Sequence, residues 1–191
     1  MSYMFNAVSF LLGLAFDLVV TLLVLRAMAE ACRADFHNPL SQLIYRYTNP
    51  VLAPLRRVVP NWRRINLAAL VLAWLALVLK RLLLFALAGL LPQIPGLLVL
   101  ALADLLDFVL LVYIVLVFAW SLLSMFAVDQ HQPLLRLMDA LVAPVLRPLR
   151  GKLIAGNIDF APMVILLVLF LARMLVAAPL LDLGSQLAVG A

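Results

Sequence analysis

Four stretches of the chain carry almost nothing but apolar side chains. Val8–Leu25 is broken only by Asp17, Leu67–Leu91 only by Lys80 and Arg81, and Phe160–Leu181 only by Arg173, while Phe108–Val128 is uncharged throughout. A bilayer span needs roughly 20 such residues at about 1.5 Å of rise each. Lipid offers the backbone no hydrogen-bond partner, so each span is predicted to be helical. Between the first and second spans the pattern changes: Pro39 is followed by Leu40, Leu43, Ile44 and Tyr47. Between the third and fourth spans, Pro133 is followed by Leu134, Leu137, Met138 and Leu141. This i, i+3, i+4, i+7 spacing puts one apolar stripe on a helix. About ten residues cannot cross a bilayer, so these segments are expected to lie in the interface or to dip in and return. Asn49-Pro50 is expected to close the first of them, because a residue before proline avoids the α region. Asn49 is then placed to cap a short second helix, which Pro54 limits in turn. Asn66 and Asp159 are placed to N-cap the spans that follow. No Lys or Arg precedes the first span and no small-residue cleavage site follows it before Arg26, so it is not expected to be a cleaved signal peptide.

The two halves repeat one another. Pro39, Pro50, Pro54 and Arg56 fall 94 residues before Pro133, Pro144, Pro148 and Arg150. After a one-residue slip, Ile65-Asn66 and Lys80 fall 93 residues before Ile158-Asp159 and Arg173. The division is therefore into residues 1–92 and 93–191, each a span, an interfacial amphipathic helix and a second span. A unit that crosses twice returns to its starting side, so the two copies are expected to be parallel repeats rather than inverted ones. The fold class is an all-α membrane protein with four transmembrane helices.

Composition agrees with that solvent. The 191 residues are 68% hydrophobic and 12% charged, against about half and about a quarter in soluble domains. A net charge of +5 is compatible with nucleic-acid binding, but its placement argues against it. Arg33, Arg46, Arg56, Arg57, Arg63 and Arg64 lie between the first two spans, and Arg136, Arg147, Arg150 and Lys152 between the last two. The termini and the Pro92–Pro95 turn have no basic residue. This asymmetry predicts a bacterial inner-membrane protein with both basic loops cytoplasmic and both termini periplasmic. Anionic lipid headgroups are the expected partners of the arginines; nucleic acid is not. The single Cys32 excludes an intramolecular disulfide, and with no Cys/His cluster beside it no metal is expected. His37 and His131 stand alone at loop entrances and are read as solvent-facing. No nucleophile–base pairing or phosphate loop is present and few polar groups fall in the spans, so neither an enzyme nor a cofactor is expected.

The string "DFHNPLSQLIYRYTNPVLAPLRRVVP", the later "VLRPLR" and "NIDFAPM" at Asn157–Met163 together resemble the YggT/YlmG family of bacterial and plastid membrane proteins. The resemblance covers essentially the whole chain and its two-copy arrangement. It implies an integral membrane protein without a settled biochemical activity, associated with osmotic-stress tolerance, cell division or nucleoid distribution, and, in plastids, assembly of a haem-containing membrane complex. The family motif corresponds here to Asn49, Pro50, Pro54, Arg56, Arg57 and Pro60. The second half keeps Pro144, Arg147, Pro148, Arg150 and Asp159 but has Gly151 for the second arginine and Ile154 for the last proline.

Charges inside spans are expensive and are candidate functional residues by default. Asp17 and Lys80 are each about 20 Å from the basic end of their helices, so they are expected to pair. Arg173 occupies the matching place in the second half and is within reach of Asp107. Two readings follow: these residues line an ion or proton path, or they are structural pairs. For the whole protein the corresponding readings are a scaffold or assembly factor that binds lipid, partner helices or itself, and a channel or transporter component.

Overall fold

The computed structural model describes residues 2–57, 59, 65–125, 132–155 and 158–190. In chain order the elements begin with α1 (Ser2–Ala31), α2 (Pro39–Leu55), α3 (Leu67–Leu87), α4 (Ile94–Met125) and α5 (Pro133–Leu146). A short pair, β1 (Ile154–Ala155) and β2 (Ile158–Asp159), follows, then α6 (Ala161–Ala172), a π-helical turn (Arg173–Ala177) and α7 (Ala178–Val189). Helices α1, α3 and α4 and the composite of α6, the π turn and α7 are long and apolar enough to cross a membrane. The protein is thus an all-α membrane protein with four spans. Among the described residues the one departure is the antiparallel β pair, Ile154 opposite Asp159 and Ala155 opposite Ile158, immediately before α6.

The packing is that of a protein dissolved in lipid. Small residues fill the interior, among them Ala27, Ala68, Ala69, Ala73 and Ala101, while Leu18, Leu102, Leu167 and Leu175 point outward. Lipid is as apolar as leucine, so helices associate through close packing rather than through the burial of large side chains. Helix α4 is the centre, touching α3, α5, α6 and α7. One core joins α1, α2 and α3 around Val20, Val24, Leu52 and Leu77; a second joins α4, α5 and α6 around Val117, Val142 and Ile165.

Two glycines set the closest approach. A Cβ on Gly184 would stand 2.7 Å from the Leu100 Cα, and one on Gly96 would stand 2.1 Å from the Ala188 backbone nitrogen. The Gln93 N–H also donates to the Ala188 carbonyl at 2.9 Å, pinning the start of α4 to the end of α7. Any side chain at Gly184 must push two helix backbones apart. Gly184→Val is expected to cost about 1–3 kcal/mol or more as overpacking. Gly13, with no atom within 4 Å of an added Cβ, serves as control. Thermal unfolding in detergent should fall for Gly184→Val and hold or rise for Gly13→Ala.

The two helices expected at the interface differ from the sequence reading in two ways. First, α2 does not end at Asn49 but runs on through Pro50 and Pro54 to Leu55, and α5 likewise contains Pro144. Proline's fixed φ is helical, so the loss is one N–H donor and a ring clash with the preceding turn. The residues whose carbonyls lose that donor, Arg46 and Pro50, are exposed rather than buried in the core. Asn49 is therefore not a cap, and α2 is capped by Asn38, whose Oδ1 accepts the Leu40 N–H at 2.9 Å. Secondly, the buried stripe of α2 is Ser41, Ile44, Thr48 and Leu52, while Leu43 and Tyr47 are exposed. In α5 the expected Leu137, Met138 and Leu141 are buried, but Leu134 is not. At an interface, apolar side chains facing lipid and those facing protein give the same sequence pattern.

The last span carries the π turn. The Ala178 N–H bonds to the Arg173 carbonyl, five residues back, and the next residue, Pro179, has no N–H to place. The slip in register is accommodated where a donor is already missing.

Candidate site: ion pairs in the spans and a buried arginine at the basic end

Lys80 reaches Asp17 with its Nζ 2.6 Å from Oδ1, joining α3 to α1. Arg173, on the π turn, donates Nε and Nη2 to the two Asp107 carboxylate oxygens at 2.7 and 2.8 Å, joining the last span to α4. A third pair was not expected: Arg81 donates to both Asp104 oxygens at 2.6 Å, joining α3 to α4 across the two halves. The two bidentate forks have the planar geometry that suits a guanidinium to a carboxylate. Consecutive residues on a helix point about 100° apart, so Lys80 and Arg81 face α1 and α4 in turn. Asp104 and Asp107, one turn apart on α4, face the second and fourth spans. The three pairs thus tie the four spans in series.

A second cluster lies at the basic end. Arg26, only 2% exposed, is ion-paired with Glu30 one turn on at 2.7 Å. Its Nη2 donates to Asn49 Oδ1 at 3.2 Å, and its guanidinium carbon lies 3.2 Å from the Tyr45 ring centroid. Arg56 Nη2 donates to the same Glu30 oxygen at 2.7 Å. Two of the motif residues, Asn49 and Arg56, are therefore held by residues of α1 that stand outside the motif. The chain can fold back because Arg33, in the turn just after α1, takes the left-handed conformation, φ 55°. Ala34 N–H then bonds to the Ala29 carbonyl at 2.9 Å, the reach that closes a Schellman cap. Burial pushes the Tyr45 hydroxyl above its ordinary range, with Arg26 pulling the other way.

The remaining motif residues are structural or exposed. Pro50 and Pro54 lie inside α2, and Arg57 is exposed in the turn after it. Pro60, with Arg63, Arg64, His131 and Asn157, lies outside the described residues. In the second half Pro144 lies inside α5, with Arg147 and Pro148 exposed just beyond. Arg150 is 3.6 Å from Asp139 and lies over Trp120 at 5.6 Å. Asn66 caps α3 by accepting the Ala69 N–H at 3.0 Å, and Asp159 accepts the Ala161 N–H at 2.9 Å at the start of α6. Asn38, 6% exposed, also donates from Nδ2 to the Pro133 carbonyl at 2.5 Å, stitching α2 to α5. Cys32 sits half-buried with its Sγ 3.9 Å from the Leu141 carbonyl, and burial pushes its thiol up. His37 is exposed beside Asp35, 3.3 Å away. Among the described residues no group of His, Cys, Asp or Glu is arranged to hold a metal.

Four apolar spans, tied in series by ion pairs and carrying a proline-containing helix locked to the first span through a buried arginine, define a polytopic helical membrane protein. The CCB3/YggT family model matches it twice, over residues 5–87 and 99–180. The chain belongs to that family. It is 35% identical to the uncharacterized protein YggT of Escherichia coli over 97% of both chains. An uncharacterized protein of Pseudomonas aeruginosa is 35% identical over 84% of this chain and 83% of its own length. One of Haemophilus influenzae is 32% identical over 83% and 84%. No solved structure matches at a significant level.

Proposed function

We propose that this protein is a non-enzymatic organising or assembly protein of the bacterial inner membrane. In this reading α2 and α5 form a platform at the cytoplasmic surface that meets anionic headgroups and the helices of partner proteins or of a second copy. The osmotic-stress and division or complex-assembly associations implied by the family resemblance are the settings in which such a platform would act. The observation that carries the reading is the pairing of charge. Asp17, Lys80, Arg81, Asp104, Asp107 and Arg173 are matched in three ion pairs that join one span to another. Paired charges that join helices hold a bundle together; a conduction path needs groups that are free to exchange partners. The cavities between spans are lined almost wholly by apolar side chains.

The alternative is an ion channel or transporter component in osmotic adaptation, favoured by the presence of charge at that depth. Ion flux into liposomes holding only this protein separates the two. The scaffold reading expects flux no greater than in protein-free liposomes, and a protein-dependent, ion-selective flux overturns it. Sidedness is tested with reporter fusions: those after Arg64 and Lys152 are expected to be cytoplasmic, those at Pro92 and Ala191 periplasmic. A cytoplasmic C-terminus would reverse the platform's proposed side.

A further inference from the structure

Helices α1, α2 and α3 do not close on one another completely. Between them runs a groove of about 370 Å³, walled by Phe16, Val19 and Leu23 of α1, Val51 of α2, and Leu72 and Leu79 of α3. That volume falls within the ~300–1,000 Å³ of ligand pockets. The groove's lining is almost wholly apolar. At its α2 end it meets a second, more polar hollow of about 270 Å³, lined by Pro39, Gln42, Leu43 and Arg46. Tyr47 lines both. Arg46 is exposed and makes no ion pair among the described residues, whereas Arg26 and Arg56 share Glu30.

We propose that this groove and hollow form a built site for one anionic phospholipid, an acyl chain lying in the groove and the phosphate held by Arg46. The groove follows the two spans from Phe16 to Leu23 and from Leu72 to Leu79, about 10 Å in each. A helix about 10 Å across cannot enter a cleft of that volume over that length; an acyl chain can. The cation stands where the apolar groove ends, as the two ends of one amphiphile require. The site belongs to the first half alone, because 94 residues on, Ala140 and Leu141 stand in place of Arg46 and Tyr47. It rests on the interfacial placement of α2 proposed above; the reporter fusions test the side of the membrane, and the labelling tests the site.

The test uses the full chain in phosphatidylcholine vesicles with a trace of phosphatidylglycerol photoreactive in its acyl chain. Label is expected on peptides of α2 and α3 that line the groove, well above that on the lipid-facing stretch around Leu167. Unlabelled phosphatidylglycerol should compete about fivefold better than phosphatidylcholine, the ratio that corresponds to about 1 kcal/mol for one basic residue at an anionic surface. Arg46→Gln should abolish that preference while leaving chain capture. Ala76→Phe, which fills the groove wall, should abolish capture. Labelling no stronger at the groove than around Leu167 would reduce the site to ordinary boundary lipid. A preference that survives Arg46→Gln would remove the phosphate contact. If Ala76→Phe instead breaks an oligomer and leaves lipid capture unchanged, the groove seats a second copy and the proposal fails. Because Arg46 is exposed, its variant decides the question even where Ala76→Phe does not accumulate.

Discussion

Asp17→Asn and Lys80→Met are each expected to lower the folded yield in membranes sharply, and the double change to restore most of it. Each single change leaves one ion without its partner at a depth reached only through apolar side chains. Insertion scales put an unpaired charge near the helix centre at roughly 3 kcal/mol, and breaking a buried pair generally costs about 3–5 kcal/mol. Asp17 is 42% exposed on the protein surface, so snorkelling and local thinning of the bilayer moderate the figure. Removing both charges leaves an apolar surface that the bilayer accepts. The measurement is the fraction of protein extracted folded from membranes for wild type, both singles and the double. Effects that merely add, or harmless singles, would mean that the 2.6 Å contact contributes no coupling energy. A well-folded double variant that fails to support growth under osmotic stress would move the pair from structure to function and strengthen the ion-flux reading.

That pair was legible because depth can be counted along a helix: two charges equally far from the same end of adjacent spans are at the same level. Arg173 followed from the repeat, as the counterpart of Lys80, and Asp107, somewhat further out, from the reach of a long arginine side chain. Arg81 and Asp104 were missed although the signal was there. The second residue of the Lys80-Arg81 dyad must point to a different neighbour, and Asp104 and Asp107 offered two carboxylates on α4. What counting cannot supply is which helices are adjacent. The same gap hid Arg26 and Glu30, an i, i+4 pair at the end of a span, where charges are ordinarily spent on headgroups. Only the fold-back of α2 brings Asn49 and Arg56 to them. Local rules failed differently at Pro50 and Pro54. The bias of a residue before proline is real, but packing of Ile44, Thr48 and Leu52 against α1 and α3 outweighs it and carries the helix through both prolines. The close approaches at Gly96 and Gly184 were equally silent, since a glycine in an apolar helix does not say what it touches.

Glu30→Gln is expected to be the most damaging conservative change at the basic end. Glu30 is the only carboxylate paired with Arg26 and with Arg56 among the described residues. Its loss leaves a guanidinium that is 2% exposed without a counter-charge, at a cost of about 3–5 kcal/mol. The amide keeps the size and one acceptor oxygen of the carboxylate, so the deficit is one of charge. Thermal unfolding should fall by many degrees, and α2 should undock first, seen as new protease cleavage between Arg33 and Arg57. The second half shows how such a corner is held without the cluster. Ninety-four residues on from Arg26, Glu30, Tyr45 and Asn49 stand Trp120, Ser124, Asp139 and Ala143. There Arg150, the counterpart of Arg56, lies over Trp120 and 3.6 Å from Asp139. With no buried cation the corner needs no buried anion, and an exposed pair of that kind is worth only about 0–1 kcal/mol. Arg26→Trp, Glu30→Ser, Tyr45→Asp and Asn49→Ala made together should therefore recover most of the stability that Glu30→Gln alone removes. If the fourfold variant is as unstable as the single one, the two corners are not interchangeable, and the buried arginine holds α2 in a way the second half never had to. If it is stable but inactive in the cell, the cluster is the functional feature of the first half, and the platform works through it.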